Sequence, residues 1–409
     1  MSILSFFGCR QPESPSDPPA LKERQDIVLS KAQKEYVQAG NSFAFNLMKQ
    51  INKEKSGKSW IMSPLSVQYA MGMVLNGALG ETASQISNTL GYGKDGAAGV
   101  NGFCKALTDG IGEVDPSTAV KIANVLVYNT HNDNGGGVRL KEPFVKALSD
   151  FYYAGVETFD FTADNKAALD RINGWSSEKT NGMIPTILDE VDPRCLSYFL
   201  NAVYFKGMWA NKFNKDYTSK KTFTKDDGST LKVDMMSQTE DFGYFGGDKY
   251  KALSMPYGNG AFKMTVILPH KGIALDDVAA SLDPAAWESL RYLRTREVDV
   301  EFPKFETASS LPLNDALKAL GMVLPFKAGA DFTAMSDAAD HISMVFQKAK
   351  IKVDEEGSEA AAVTVVGMIE ATALPNPENY VFHAERPFLY VISEVSTGAI
   401  LFMGRFNGD

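Results

Sequence analysis

The chain has 409 residues, 44% of them hydrophobic and 22% charged, and a formal net charge of −9; this suits a globular protein with a large core. No apolar run reaches the ~18 residues of a membrane-spanning helix. There is also no dense basic cluster to serve nucleic acid or heparin, since Lys220–Lys221 and the trio Arg291, Arg294 and Arg296 come closest.

In chain order, Cys9 comes first, after Ile3-Leu4-Ser5-Phe6-Phe7-Gly8 and before a proline-rich stretch, Arg10–Ala20. Two readings stand. One is the end of a bacterial lipoprotein signal, in which Cys9 is lipidated and a tether follows, although the apolar part is short and no positive region precedes it. The other is a structureless tail. The first places the protein at the extracellular face or cell envelope with an anchor at Cys9; the second leaves the cytoplasm open. Residues 1–30 are assigned to this tail and linker, and residues 31–409 to a single domain.

Phe43, Leu47 and Ile51 recur at helical spacing and predict an amphipathic helix closed by Lys55-Ser56-Gly57. Ser63-Pro64 opens a second helix, to about Leu79, with a capping side chain and a proline at a tolerated position. Gly80-Glu81-Thr82 opens a third, to about Leu90. Ala119–Tyr128 reads as a strand from its β-branched run, and helical patterns return at Pro143–Tyr153 and Ala167–Thr180. Strands are expected at Leu196–Phe205, Ala261–Leu268 and Val298–Phe305, a helix at Leu313–Leu320, and strands again through Pro387–Phe406. Helices concentrate early and strands late, without βαβ alternation, so the class is α+β.

Signals for catalysis are weak. Four histidines (His131, His270, His341, His383) form no H-E-x-x-H, and no G-x-S-x-G elbow is present. The G-x-G-x-x-G of Gly91–Gly96 follows a helix rather than a strand, so it reads as a loop and not a dinucleotide site. Asn129–Gly137 gathers oxygen ligands but no closing bidentate Glu, and reads as a turn. Cys104 and Cys195 are small buried hydrophobes; three cysteines at such spacing make neither a disulfide framework nor a metal site. No cofactor is expected.

One segment resists a bland reading. From Gly357 to Thr372 the chain is rich in Ala, Val and Thr, with high strand propensity and little charge. Yet it runs into Leu374-Pro375-Asn376-Pro377, which cannot propagate a ladder. Ser358, Ala360, Ala362 and Thr364 share one strand face, and all are small enough to slip between packed strands. An ordinary core strand would carry larger side chains there. The segment is shaped to become a strand on demand.

Several motifs then resemble the serpin family in order and spacing: Ser63-Pro64-Leu65-Ser66 with Met71–Ala78; Thr180–Ile184; Asn201–Gly207 with Trp209; Pro303-Lys304-Phe305; Ala330-Asp331-Phe332; and Arg386-Pro387-Phe388 with Gly398–Gly404. The resemblance covers nearly the whole chain after residue 35. It implies three β-sheets, about nine helices and an exposed reactive-centre loop at about residues 355–380. It also implies a monomer that acts on a target serine protease, or a cysteine protease, as an irreversible inhibitor and not as an enzyme. The protease cleaves the loop, and the acyl-enzyme is trapped as the loop inserts into the main sheet.

The resemblance implies roles residue by residue. The hinge is Glu355, Glu356, Gly357, Ser358, Glu359, Ala360, Ala361 and Ala362, whose small residues fit the inhibitory pattern. Ala371–Thr372 is the expected scissile bond, with Glu370 and Ala373 as alternatives. Small residues there favour elastase-like or subtilisin-like targets, and no Lys or Arg lies in Gly357–Leu374 to suit a trypsin-like one. Trp209, Lys304 and Glu355 match the breach at the head of the main sheet, with Lys304 and Glu355 expected to pair. Ser63, Ser66 and Asn201 match the shutter, where Gln347 stands in the usual place of a histidine; glutamine both donates and accepts but does not titrate. A non-inhibitory carrier or chaperone of the same family is the alternative reading.

Overall fold

Ser30 opens the first helix through a capping box: its hydroxyl accepts from the Gln33 N–H, and the Gln33 side chain accepts from the Ser30 N–H. The structure, a computed structural model, describes residues 23–93, 96–131, 139–337, 341–358 and 380–409. The tail around Cys9, part of Gly91–Gly96 and most of Asn129–Gly137 therefore lie outside the described residues, as do Glu359–Ala362 and Glu370–Ala373.

Helix α1 (Lys31–Glu54) buries the expected stripe of Phe43, Leu47 and Ile51. Strand β1 (Trp60–Met62) leads to α2 (Pro64–Leu75), which starts as expected with the Ser63 hydroxyl accepting from the Ser66 N–H. Every residue of α2 is buried. It ends at Leu75 and not Leu79, because Asn76, Gly77 and Ala78 turn back onto the carbonyls of Met73, Val74 and Leu75 in a tightened last turn. Helix α3 (Gly80–Leu90) stops at Gly91 in the left-handed conformation.

Helix α4 (Gly96–Glu113) was not expected. Its buried stripe of Val100, Phe103, Leu107 and Ile111 has helical spacing, but glycines at 96, 99, 102, 110 and 112 depress its propensity, and tertiary packing overrides them. Strand β2 (Ala119–Asn129), α5 (Glu142–Tyr152), β3 (Gly155–Phe159), α6 (Asn165–Lys179) and β4 (Ser197–Met208) complete the first half.

The second half runs through β5 (Ser219–Thr224), β6 (Thr230–Gly246), β7 (Tyr250–Tyr257) and β8 (Phe262–Pro269). Short helices α7 (Leu275–Ser281) and α8 (Pro284–Arg291) precede β9 (Arg294–Pro303) and β10 (Phe305–Pro312). Then come α9 (Asn314–Ala319), β11 (Phe346–Val353), β12 (Gly357–Ser358), β13 (Tyr380–His383), β14 (Phe388–Glu394) and β15 (Ile400–Phe406). The single strand expected over Val298–Phe305 is in fact the end of β9 and the start of β10. The two separate at Lys304 and enter different sheets, a change that residue alternation does not register.

One ladder has the order β1-β15-β14-β8-β7-β6-β9-β13, with β5 also on β6; the other is β10-β11-β12-β4-β2-β3. In the first, the 17-residue β6 pairs with β5 and β9 along most of its length and with β7 only at Gly243–Gly246. It thereby stitches two of the three expected sheets into one ladder. In the six-stranded sheet only β2 and β3 run parallel. The main core gathers around α1, α2 and β14, and a smaller cluster of Phe161, Ile172, Trp175 and Tyr198 lies where α6 covers β2 and β4.

Candidate functional site at the head of the six-stranded sheet

β12 is two residues long and lies between β11 and β4. Gly357 is paired with Met208, and Ser358 with both Gly207 and Val353. It runs antiparallel to both neighbours, and among the described residues no ladder joins β4 to β11 directly. A tight turn sets this up, with the Asp354 N–H donating to the Gly357 carbonyl at 2.9 Å. Gly357 has φ +154°, and a Cβ there would collide with the carbonyl oxygen of Gly207, so only glycine fits.

Ser358 is 1% exposed, and its hydroxyl lies 2.6 Å from the hydroxyl of Tyr257. The Tyr257 ring stacks on Trp209 at 4.4 Å and 12°. Burial pushes the Tyr257 hydroxyl well above the usual phenol range, so it is a neutral hydrogen-bonding group. Trp209 grips the approach to β12 twice: its indole N–H donates to the Asp354 carbonyl and its backbone N–H to the Glu356 carbonyl, each at 2.9 Å.

Two adjacent carboxylates brace this turn. Glu355, with a side chain 4% exposed, meets the Lys304 ammonium at 2.8 Å and accepts from the Thr218 hydroxyl at 2.8 Å. Burial raises its pKa, but hydrogen bonds from Lys304, its own N–H and Thr218 prevail and hold it below the usual range. Glu356 bridges Lys212 at 2.8 Å and Lys215 at 3.2 Å, and the Lys212 bond is the main cause of its lowered pKa.

Lower in the sheet, Gln347 on β11 makes a reciprocal pair with Ser63: its carbonyl accepts from the Ser63 N–H and its amide donates to the Ser63 carbonyl, both at 2.9 Å. The Ser63 hydroxyl donates to the Leu401 carbonyl at 2.7 Å. Ser66 reaches the Asn201 carbonyl at 3.5 Å, and the Asn201 amide donates to Asn124 at 2.6 Å. The Asn201 side-chain oxygen is buried without a partner among the described residues. These residues tie α2 to β11, β4 and β2, the strands on either side of β12.

A family model described as serpin, serine protease inhibitor, matches residues 38–408. The chain belongs to the serpin family. A serpin-like protein of Thermococcus kodakarensis is 32% identical over 384 residues, covering 93% of this chain and 88% of its own. The native-state crystal structure of the thermophilic serpin tengpin superposes with TM-score 0.83 at 26% identity, covering 95% of this chain and 97% of tengpin. Human thyroxine-binding globulin complexed with its ligand superposes with TM-score 0.81 at 25% identity, covering 91% and 98%.

His131 and His383 face Asp160 and Asp299 at 3.1 Å each. Burial pushes the Cys104 thiol up to about 12 and raises Cys195 as well, so neither forms a thiolate near neutral pH. No helix among the described residues is long and apolar enough to cross a membrane. Sequence reasoning missed Tyr257, Lys212, Lys215 and Thr218. Only the charge of the two lysines, opposite to that of Glu356, offered a signal; nothing in the sequence singled out Tyr257.

Proposed function

We propose that this serpin is an irreversible suicide inhibitor of a serine protease with a shallow, apolar specificity pocket, elastase-like or subtilisin-like. The observation that carries this reading is β12: the root of the Ala/Val/Thr-rich segment is paired between β11 and β4 and antiparallel to both. A chain continuing beyond Ser358 in that direction would gain a ladder on each side. The target's serine oxygen attacks the carbonyl of Ala371, the bond to the Thr372 nitrogen breaks, and the amine leaves with a proton. An ester links Ala371 to the protease. About fourteen residues then insert at ~3.3 Å each, carrying the protease on the order of 45 Å toward the opposite pole. Hydrolysis of the ester stalls there because the protease site is distorted.

In this mechanism Glu355, Lys304 and Trp209 hold the head of the sheet until insertion begins. Ser63, Ser66, Asn201 and Gln347 govern the separation of β4 from β11. The small hinge residues admit the loop because a bulky or charged side chain would enter the sheet without a partner. The native state is then held kinetically.

Incubation with pancreatic elastase followed by denaturing gel electrophoresis tests the proposal. A covalent band at the summed mass supports it; cleavage without such a band refutes it. The second outcome would favour a carrier role, a reading supported by the likeness to thyroxine-binding globulin. Mass spectrometry of the released C-terminal peptide fixes the bond, which we expect to leave Thr372 as the new N-terminus.

A further inference from the structure

Strand β2 is unequally covered along its two edges. On one side β4 pairs with it from Ala119 to Tyr128. On the other, β3 pairs only with Val125–Asn129. Asn124 spends its side chain on the Tyr152 carbonyl at 2.7 Å. Ala119–Ala123 therefore present an edge with no strand against it among the described residues. Open edges are usually blunted, since their N–H and C=O groups template another strand.

Here the edge lies along a groove of about 630 Å³, walled by Thr108, Ile111 and Gly112 of α4 and by Trp175, Glu178 and Lys179 of α6. The side chains along it differ in charge state. Val120 and Ile122 are half-buried against the core, while Lys121 is exposed and lines the groove. The acids nearby are already engaged, Glu178 by Lys179 at 2.7 Å and Glu157 by Arg171 at 2.8 Å. Lys121 forms no ion pair among the described residues; its ammonium sits 6.0 Å from the Tyr204 ring.

We infer that this groove takes an extended segment of a partner polypeptide, added as a strand to the free edge of β2, with an acidic side chain set against Lys121. Only an extended backbone satisfies alternating N–H and C=O groups along an edge, and the Lys121 ammonium, which acts on Glu178 through space but holds no ion pair among the described residues, selects the sign of the side chain. Five residues at ~3.4 Å span about 17 Å, the length of the open stretch.

The probe is a fluorescent pentapeptide, acetyl-Thr-Val-Glu-Val-Thr-amide, followed by anisotropy on the full chain. We expect saturable binding, at least tenfold weaker for the version with Lys in place of Glu, and lost on N-methylation of alternate amides. Lys121→Glu, at an exposed position, should reverse the charge preference. Loop-cut protein should still bind, because the groove is separate from β12. Three results would each overturn the inference: no binding at millimolar peptide, a charge preference unchanged in Lys121→Glu, or loss of binding in loop-cut protein, which would put the peptide between β4 and β11. On the uncut chain the readout needs no protease, so its failure there would leave the trapping proposal standing, and the reverse.

Discussion

If this serpin traps its protease as proposed, replacing Ser358 by glutamate should turn it from an inhibitor into a substrate. Ser358 is 1% exposed, and the polar group facing its hydroxyl is that of Tyr257 at 2.6 Å. Ser358→Ala forfeits one neutral hydrogen bond, about 1 kcal/mol. Ser358→Glu puts a carboxylate where the side-chain partner is the neutral Tyr257 hydroxyl and the lysines nearest in the turn, Lys304, Lys212 and Lys215, are already paired with Glu355 and Glu356; an uncompensated buried charge costs about 3–5 kcal/mol. The intact chain escapes most of that cost by withdrawing the two residues of β12. The cleaved loop has no such escape, because insertion must lead with residue 358. Adding about 3 kcal/mol to the insertion barrier slows it roughly 150-fold, while ester hydrolysis keeps its own rate. The assay is the number of serpin molecules consumed per elastase inactivated, read beside the gel. We expect Ser358→Ala to stay within about fivefold of the parent, the factor that 1 kcal/mol allows. Ser358→Glu should rise at least tenfold and run mostly as cleaved chain. If Ser358→Glu traps elastase with the parent stoichiometry, β12 is not where insertion starts.

Gln347→Ala leaves the Ser63 N–H buried without a partner, at about 1–3 kcal/mol, and leaves the Ser63 carbonyl only the Val67 N–H at 3.3 Å; differential scanning fluorimetry should show a midpoint lower by several degrees, and an unchanged midpoint would count against the pair. Glu355 is held below the usual carboxyl range, so its contribution is complete above its unfolded pKa and disappears as pH falls through the folded one. The stability lost in Glu355→Gln should therefore be larger at pH 7 than in acid, as read from urea unfolding at the two pH values. Burial, with Arg291 and Arg24 adding repulsion, lowers the Lys263 ammonium to about 8, so its charge costs stability below that pH and the cost is relieved as pH rises toward the ordinary lysine value. Lys263→Met should raise the midpoint at pH 7 despite losing the 2.7 Å bond to the Arg291 carbonyl, and the gain should shrink by pH 10.

Much of the fold could be read from local pattern, and the failures have distinct causes. Ser63-Pro64 announces α2 because capping and proline geometry are local. Helix α4 was hidden because its glycines oppose what its apolar stripe favours, and the stripe wins only once α5 and β2 pack on it. The break at Lys304 was invisible because β9 and β10 both alternate and differ only in the sheet each joins. At the site, the Lys304–Glu355 pair came from family resemblance, since nothing local links residues so far apart. The place of Tyr257 above Ser358 depends on how β7 crosses the head of the sheet, and only the folded chain reveals it.

The same topology explains why a cut should trigger insertion. Twenty-one residues separate Ser358 from Tyr380. The near end is β12; the far end is β13, paired with β9. β9 leads directly into Lys304, which holds Glu355, so both anchors belong to one end of the molecule. An uncut loop that descends n residues at ~3.3 Å each must climb back with the remainder, so about ten can enter before the chain is taut. Trapping as proposed needs about fourteen, which would require β13 to leave β9. Cleavage at Ala371–Thr372 removes that restraint without disturbing β13. The cut chain should therefore melt well above the intact one, and equal midpoints would mean that the intact fold stores no energy with which to trap a protease.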